Sequence, residues 1–304
     1  MSRKSLVALT LATAAFASAA QAQTQAPPAA PAAPAQPPYA TTKVEGTDNV
    51  YIFRYGGHQS MFIVTPAGVI ATDPIGERRP AAKAYIEEIR KITKAPIKYV
   101  VYSHSHFDHI AGGKPFKDLG AVFIAHNNAK KRIVALKPAD VVVPDQVVDT
   151  AKKVISLGGT TLELNYVGFN HSDSTLVMRL PKEKIIFTVD WIPIKGIQFR
   201  GMADTYVPDV EEGLKKVIAM DWDKLIPGHP GPGGVQTGTK DDARNQLAYL
   251  QDLSAAVKKA VDEGKSYADA QKEITLPKYE SWPNYKAFLP ANIERYYDFW
   301  NRGI

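Results

Sequence analysis

From residue 50 onward the chain sets short runs of β-branched and aromatic residues between Gly- and Pro-containing turns. Val50 to Tyr55 (VYIFRY), Met61 to Thr65 (MFIVT) and Val69 to Thr72 (VIAT) read as strands of this kind, separated by Gly56-Gly57 and Pro66-Ala67-Gly68. The period then changes. Over Ala81 to Thr93, Tyr85, Ile86, Ile89 and Ile92 share one helical side, and Pro96 ends the stretch. Ile97 to Tyr102 (IKYVVY) predicts a buried strand, Val122 to Ala125 another, and Asn127 to Leu136 a helix. Val154 to Leu157 and Thr161 to Val167 flank Gly158-Gly159, which signals a hairpin. Strands at Thr175 to Leu180, Lys184 to Val189 and Lys224 to Ile226 follow, with a helix over Val210 to Met220. The remainder predicts helices over Arg244 to Glu263, Tyr267 to Ile274 and Asn292 to Arg302. Strands alternate with helices in two similar halves, which predicts an α/β sandwich of two sheets with helices outside.

The first 38 residues lack this pattern. Arg3 and Lys4 precede an apolar run of small residues from Leu6 to Ala20, and Ala20-Gln21-Ala22 fits a cleavage site. Residues 1–22 therefore read as a secretory signal peptide, and the protein is expected to be periplasmic or secreted. Residues 23–38 are rich in Ala, Pro and Gln without charge, so they are expected to form a disordered linker. One domain is expected over 39–304, with a helical C-terminal extension. The chain has no cysteine, which excludes disulfides and thiolate chemistry. The net charge of +6 is spread along the chain with no basic block, so nucleic-acid binding is not indicated. No later segment is apolar enough for a stable membrane span.

Seven histidines occur in the chain, and three of them fall in SHSHFDHIAGG, residues 103–113. His104 and His106 are two apart and share a face if the segment is extended. Asp108 and His109 follow where the chain turns, and can point to a second metal beside the first. Such nitrogen and oxygen donors suit zinc. Three further polar residues stand at strand-to-loop exits: His171 in GFNHSDST, Asp190 at the end of IIFTVD, and His229 in LIPGHPGPGG. Together these are seven candidate ligands.

H-x-H-x-D-H at 104–109, followed by His171, Asp190 and His229 in that order, resembles the metallo-β-lactamase superfamily over roughly Val50 to Pro232. The resemblance implies a four-layer αβ/βα sandwich of two mixed sheets with a metal cleft at one edge. It also implies that His104, His106 and His171 hold one metal, that Asp108, His109 and His229 hold a second, and that Asp190 bridges them. Asp73, in VIATDP, matches a buried aspartate that braces the ligand loop. The implied cofactors are two zinc ions, with manganese or iron also accepted by these donors.

The best-known zinc β-lactamases carry a cysteine where Asp190 stands, and aspartate there resembles the glyoxalase II, lactonase and phosphotriesterase branches. The tyrosine that quorum-quenching lactonases have shortly after this position is missing, since Trp191, Ile192, Pro193 and Ile194 follow. The basic residues that bind glutathione in glyoxalase II are not identifiable. The implied activity is therefore a dinuclear zinc hydrolase acting on a small ester, lactone, thioester or amide, with water activated between the ions and oriented by Asp108. β-Lactam hydrolysis and a mononuclear iron persulfide dioxygenase are the alternatives. Candidate substrate residues are His58 in YGGHQS, Trp191, Lys195 and Arg200; a surface turn is the competing role for His58, and packing or a solvated charge for the others. His126 falls outside the ligand order and reads as structural. Tyr285, Tyr296, Tyr297, Phe299 and Trp300 read as helix core.

Overall fold

The computed structural model describes residues 37–76 and 79–304, and the expected signal peptide and the linker through residue 36 lie outside the described residues. The first half runs β1 (Tyr39–Lys43), β2 (Val50–Tyr55), β3 (His58–Thr65), β4 (Gly68–Thr72), α1 (Ala81–Ile92), β5 (Ile97–Val101), α2 (Phe107–Ile110), α3 (Lys114–Asp118), β6 (Val122–His126), α4 (Asn127–Leu136) and β7 (Gln146–Val148). The second half runs β8 (Lys152–Leu157), β9 (Thr160–Tyr166), β10 (Leu176–Leu180), β11 (Ile185–Thr188), α5 (Val207–Ala219), β12 (Lys224–Pro227), β13 (Gly238–Thr239), α6 (Lys240–Asp262), α7 (Tyr267–Glu273) and α8 (Tyr285–Arg302). Seven strands form one sheet in the order β1 to β7, and six form the other in the order β13-β12-β11-β10-β9-β8. Both sheets are mixed: β4, β5, β6 and β7 pair in parallel in the first, as do β11 and β12 in the second.

Two-residue alternation sorts the strand side chains into layers. Ile63, Ile70, Val101 and Ile124 point between the sheets, where they meet Leu162, Leu164, Met178 and Phe187 of the second sheet. Their neighbours Phe62, Val69, Val100 and Phe123 face the other way and pack against Tyr85, Ile89, Phe116 and Ile133 of α1, α3 and α4. On the far side of the second sheet, Val177, Ile186 and Leu225 pack against Val210, Leu214, Leu250 and Leu253 of α5 and α6. The result is the expected four layers, helix–sheet–sheet–helix. Strands covered on both faces explain why the apolar runs are nearly continuous.

Several element boundaries differ from expectation for local reasons. β3 begins at His58, ahead of Met61, because the β2–β3 turn needs only Gly56-Gly57 and Tyr55 already pairs with His58. α6 begins at Lys240, where Thr239 and Asp242 form a capping box. α8 begins at Tyr285 and continues through Pro290. Among the described residues no helix is long and apolar enough to cross a membrane.

The two sheets are tied at the edge where the histidine segment emerges. Gln59 of β3 donates its backbone N–H to Gly228 O at 2.7 Å and its side-chain amide to Pro227 O at 3.0 Å. Leu176 N–H donates to Ser103 O at 2.7 Å. These bonds bring the ends of β5 and β12 and the starts of β3 and β10 to one place.

Candidate metal centre

The loop after β5 is shaped from below by Asp73, at the end of β4. Its buried carboxylate accepts the Ser103 N–H at 2.8 Å, and its own carbonyl accepts the Ser60 hydroxyl at 2.5 Å. Residues 103–105 are bends rather than the expected extended segment, and α2 is a single turn. The bends still bring the His104 and His106 rings to 4.4 Å between centroids. Gly76 presses on the end of α2 so closely that a Cβ there would lie 2.1 Å from the Ala111 carbonyl carbon. His109 O accepts the Ile75 N–H at 2.9 Å, and His109 Nδ1 lies 3.9 Å from Asp73 Oδ2. Asp73 thus underlies the ligand loop at two points.

Two groups of side chains converge above this base. His104, His106, His171 and Asp190 form one, and His58, Asp108, His109 and His229 form the other; within each group the possible ligand atoms lie within 4.8 Å of one another. The Asp190 carboxylate faces both. Its Oδ2 is 3.5 Å from His104 Nε2, 3.4 Å from His171 Nε2 and 3.2 Å from His109 Nε2, while its Oδ1 is 2.9 Å from His229 Nε2. The Asp190 backbone is left-handed, with φ of 71°. Aspartate tolerates that region better than most residues, and the Gln198 amide holds its carbonyl at 2.7 Å.

The far nitrogens of several imidazoles are already engaged. His229 Nδ1 donates to Gly57 O at 2.6 Å, His104 Nδ1 meets Ser103 Oγ at 2.9 Å, and His106 Nε2 meets Asp204 Oδ2 at 2.5 Å. These contacts hold each ring and turn its other nitrogen inward; Gly57 O and the Asp204 carboxylate can only accept, so His229 Nε2 and His106 Nδ1 are left as lone-pair donors. His104 Nε2, His109 Nε2 and Asp190 Oδ1 are buried and make no hydrogen bond. Buried polar atoms are normally satisfied, and a cation between the two groups would satisfy these together. The residues present therefore fit a metal centre, and their nitrogen and oxygen donors accept more than one kind of ion.

Electrostatics support the same fit. Burial pushes His104 and His171 down, His171 to about 4, so both are neutral donors at physiological pH. Burial opposes ionisation of Asp190, but His109, His229 and His171 outweigh it and hold the carboxyl well below its ordinary range. Asp108 follows the same balance, with His58 and His109 overcoming burial. His109 is the exception among the rings: burial would lower it, but Asp190, Asp108 and Asp73 raise it to about 9. A cation binding there displaces a proton. Burial raises Asp73 to about 6.

All seven ligand candidates come together, but the substrate candidates scatter. His58 is not in a surface turn: it opens β3, is 8% exposed, and sets Nε2 3.1 Å from Asp108 Oδ2. Trp191 does not line the cleft. It is 0% exposed, its N–H donates to Thr188 Oγ1, and its ring packs against Gly213 of α5. The apolar ring turns into the core while the preceding Asp190 turns to the histidines. Lys195 is exposed, and its backbone N–H donates to Asp242 at 3.2 Å. Arg200 is exposed and lies 6.0 Å from the Phe199 ring centroid. His126 is structural: its Nδ1 caps α4 and its ring stacks on Tyr166. Tyr285 and Tyr296 are buried in the helical core, with Tyr297, Phe299 and Trp300 packed against it. Asp204, which grips His106, carries no sequence signal, because it lies in an irregular stretch away from any strand end.

Comparison with known proteins agrees with this geometry. Residues 54–229 match the sequence profile of the metallo-beta-lactamase superfamily. The alpha subunit of 2,4-dinitroanisole O-demethylase from Nocardioides sp. (strain JS1661) is 24% identical over 187 residues, which are 59% of this chain and 55% of that protein. The chain thus spans about half the length of this relative. Among solved structures, a metallo-beta-lactamase from Pontibacter korlensis superposes with a TM-score of 0.58 at 22% identity, over 70% of this chain and 99% of that one. A stereoselective inverting sec-alkylsulfatase from Pseudomonas sp. superposes with a TM-score of 0.70 at 17% identity, over 86% of this chain and 50% of that one.

Proposed function

Since this chain belongs to the metallo-beta-lactamase superfamily, we propose that it is a hydrolase that works with two metal ions, zinc in the first instance, on a small ester, lactone, thioester or amide. The observation that carries the proposal is the Asp190 carboxylate, which faces both donor groups: Oδ2 lies within 3.5 Å of His104 and His171 of the first and of His109 of the second, and Oδ1 lies 2.9 Å from His229 of the second. His104, His106 and His171 would hold one ion, Asp108, His109 and His229 the other, and Asp190 both. Ions held there would supply an acidified water and an electrophilic contact for the oxygen under attack.

The remaining work falls to the chain. Asp108, part-exposed at the mouth of the second group, is kept ionised well below the ordinary carboxylate range. Such a carboxylate is a weak base, so it orients the attacking water more than it stores a proton. Asp204 and Gly57, which can only accept, hold the His106 and His229 rings in fixed tautomers, and Ser103 anchors the His104 ring. No serine or cysteine nucleophile is required.

Aspartate at 190 favours oxygen-ester chemistry over β-lactam hydrolysis. The demethylase and alkylsulfatase similarities add aryl ethers and sulfate esters to the substrates worth testing. The test is turnover of a panel of aryl esters, lactones, thioesters, sulfate esters, an aryl methyl ether and a chromogenic cephalosporin. The expected result is chelator-sensitive hydrolysis of at least one, restored by zinc or manganese and abolished in Asp190→Ala. Oxygen-dependent turnover of a persulfide by a one-iron form, with no hydrolysis, would refute it.

A further inference from the structure

The ligand set above leaves His58 without a role, although it is buried and stands among the donors of the second group. We propose that His58 is a further ligand of the second ion, beside Asp108, His109 and His229; the inference rests on the two-ion reading just given.

The backbone carrying His58 is locked to the loop carrying His229. His229 Nδ1 donates to Gly57 O at 2.6 Å, and Gln59 N–H donates to Gly228 O at 2.7 Å. These bonds bracket His58 from both sides, and its pairing with Tyr55 across the hairpin fixes its direction. Its ring centroid lies 4.4 Å from that of His229 and 5.0 Å from that of His109.

The donor separations argue for coordination. Atoms bound to one ion at about 2.0–2.2 Å lie about 2.8–3.6 Å apart, the edge lengths of an octahedron or tetrahedron of that radius. His109 Nε2 is 3.4 Å from Asp108 Oδ2 and 3.2 Å from Asp190 Oδ2. The His58 Nε2 to Asp108 Oδ2 separation of 3.1 Å falls in the same range. Two atoms beside it, His109 Nε2 and Asp190 Oδ1, are buried without a hydrogen-bond partner. With His58 included, and one oxygen of Asp190, the second site offers more donors than the four of a tetrahedral zinc site. It therefore suits ions that take five or six donors, manganese and iron as well as zinc.

The experiment is metal titration of the metal-free full chain with Zn²⁺ and with Mn²⁺, reading stoichiometry by elemental analysis and affinity by chelator competition. Wild type is compared with His58→Ala and His58→Gln, and circular dichroism of the metal-free forms checks folding. Glutamine can place an amide N–H near Asp108 but offers no imidazole lone pair. Wild type should bind about two ions per chain. In His58→Ala the second ion should weaken by at least about a hundredfold while the first is retained, and glutamine should not restore it. Should alanine prevent folding, the glutamine variant alone carries the same expectation. Two ions in wild type with second-ion affinity within about threefold in His58→Ala would overturn the role of His58 and leave the two-ion reading intact. Full recovery in His58→Gln would overturn the imidazole as the ligand at this position, since an amide oxygen or a hydrogen bond to Asp108 would then suffice. A single ion in wild type would overturn both.

Discussion

Replacing Asp204 with asparagine removes one negative charge and almost no volume, at a residue that touches a ligand but belongs to neither donor group. Asp204 Oδ2 lies 2.5 Å from His106 Nε2, and this hydrogen bond is the main reason its carboxyl sits below the usual range. The other nitrogen of the same ring, Nδ1, is 3.0 Å from His171 Nε2, inside the first group. A carboxylate on the outer nitrogen strengthens the inner one as a donor and holds the ring in place. A hydrogen bond to a charged group contributes about 1.5–3 kcal/mol when well shielded. The Asp204 side chain is 48% exposed, so water screens it and the lower end applies, about 1–1.5 kcal/mol. That corresponds to about a tenfold loss of affinity for the first ion, since each 1.4 kcal/mol is tenfold. Chelator competition on wild type, Asp204→Asn and Asp204→Ala reads it directly. This loss is expected at the first ion in both variants, with second-ion affinity little changed. First-ion affinity within about twofold of wild type would refute it.

The other predictions concern stability and pH. In the metal-free chain His109 has a folded pKa of about 9, raised from 6.5. Its contribution is therefore complete below pH 6.5 and is lost as pH rises through 9. Urea unfolding should show a loss on the order of 3 kcal/mol across that window, absent once a cation has replaced the proton; equal metal-free stability at pH 6.5 and 9.5 would contradict this. Trp191→Ala removes a wholly buried indole from the α5–α6 core and should cost about 3–5 kcal/mol in denaturant unfolding. A variant with unaltered stability would contradict the burial of that ring. Thr239→Ala breaks the capping box of α6 and should cost about 1 kcal/mol in the same assay, with no effect on metal content.

The donors that the sequence reveals share one property: each sits at the end of an apolar run. His104 follows IKYVVY, Asp190 closes IIFTVD and His229 follows KLIP, so the pattern that marks the strand also marks its exit. His58 broke the pattern because the turn before it consists of two glycines and no more, leaving the histidine already inside β3. Trp191 misled in the opposite sense, since nearness in sequence to Asp190 placed it at the cleft while its apolar ring is drawn into the core. Asp204 was illegible for a different reason. Its loop is held by distant partners, with Gly201 N–H donating to Asn292 Oδ1 at 3.0 Å and Arg295 Nε donating to Thr205 O at 2.9 Å. Both partners lie in α8, 91 and 90 residues away in sequence, and leave no local periodicity. Strands β1, β7 and β13 were missed because they are short or polar edge strands, which bury too little to show alternation.

The central claim is that two ions share the Asp190 carboxylate. Crystals of the metal-loaded protein, measured above and below the absorption edge of the bound metal, test it most directly. The account predicts two anomalous peaks about 3.5–4 Å apart. One should lie among His104, His106 and His171, the other among Asp108, His109 and His229, with Asp190 between them. A single fully occupied peak, with the remaining histidines hydrogen-bonded to one another or to water, would contradict it.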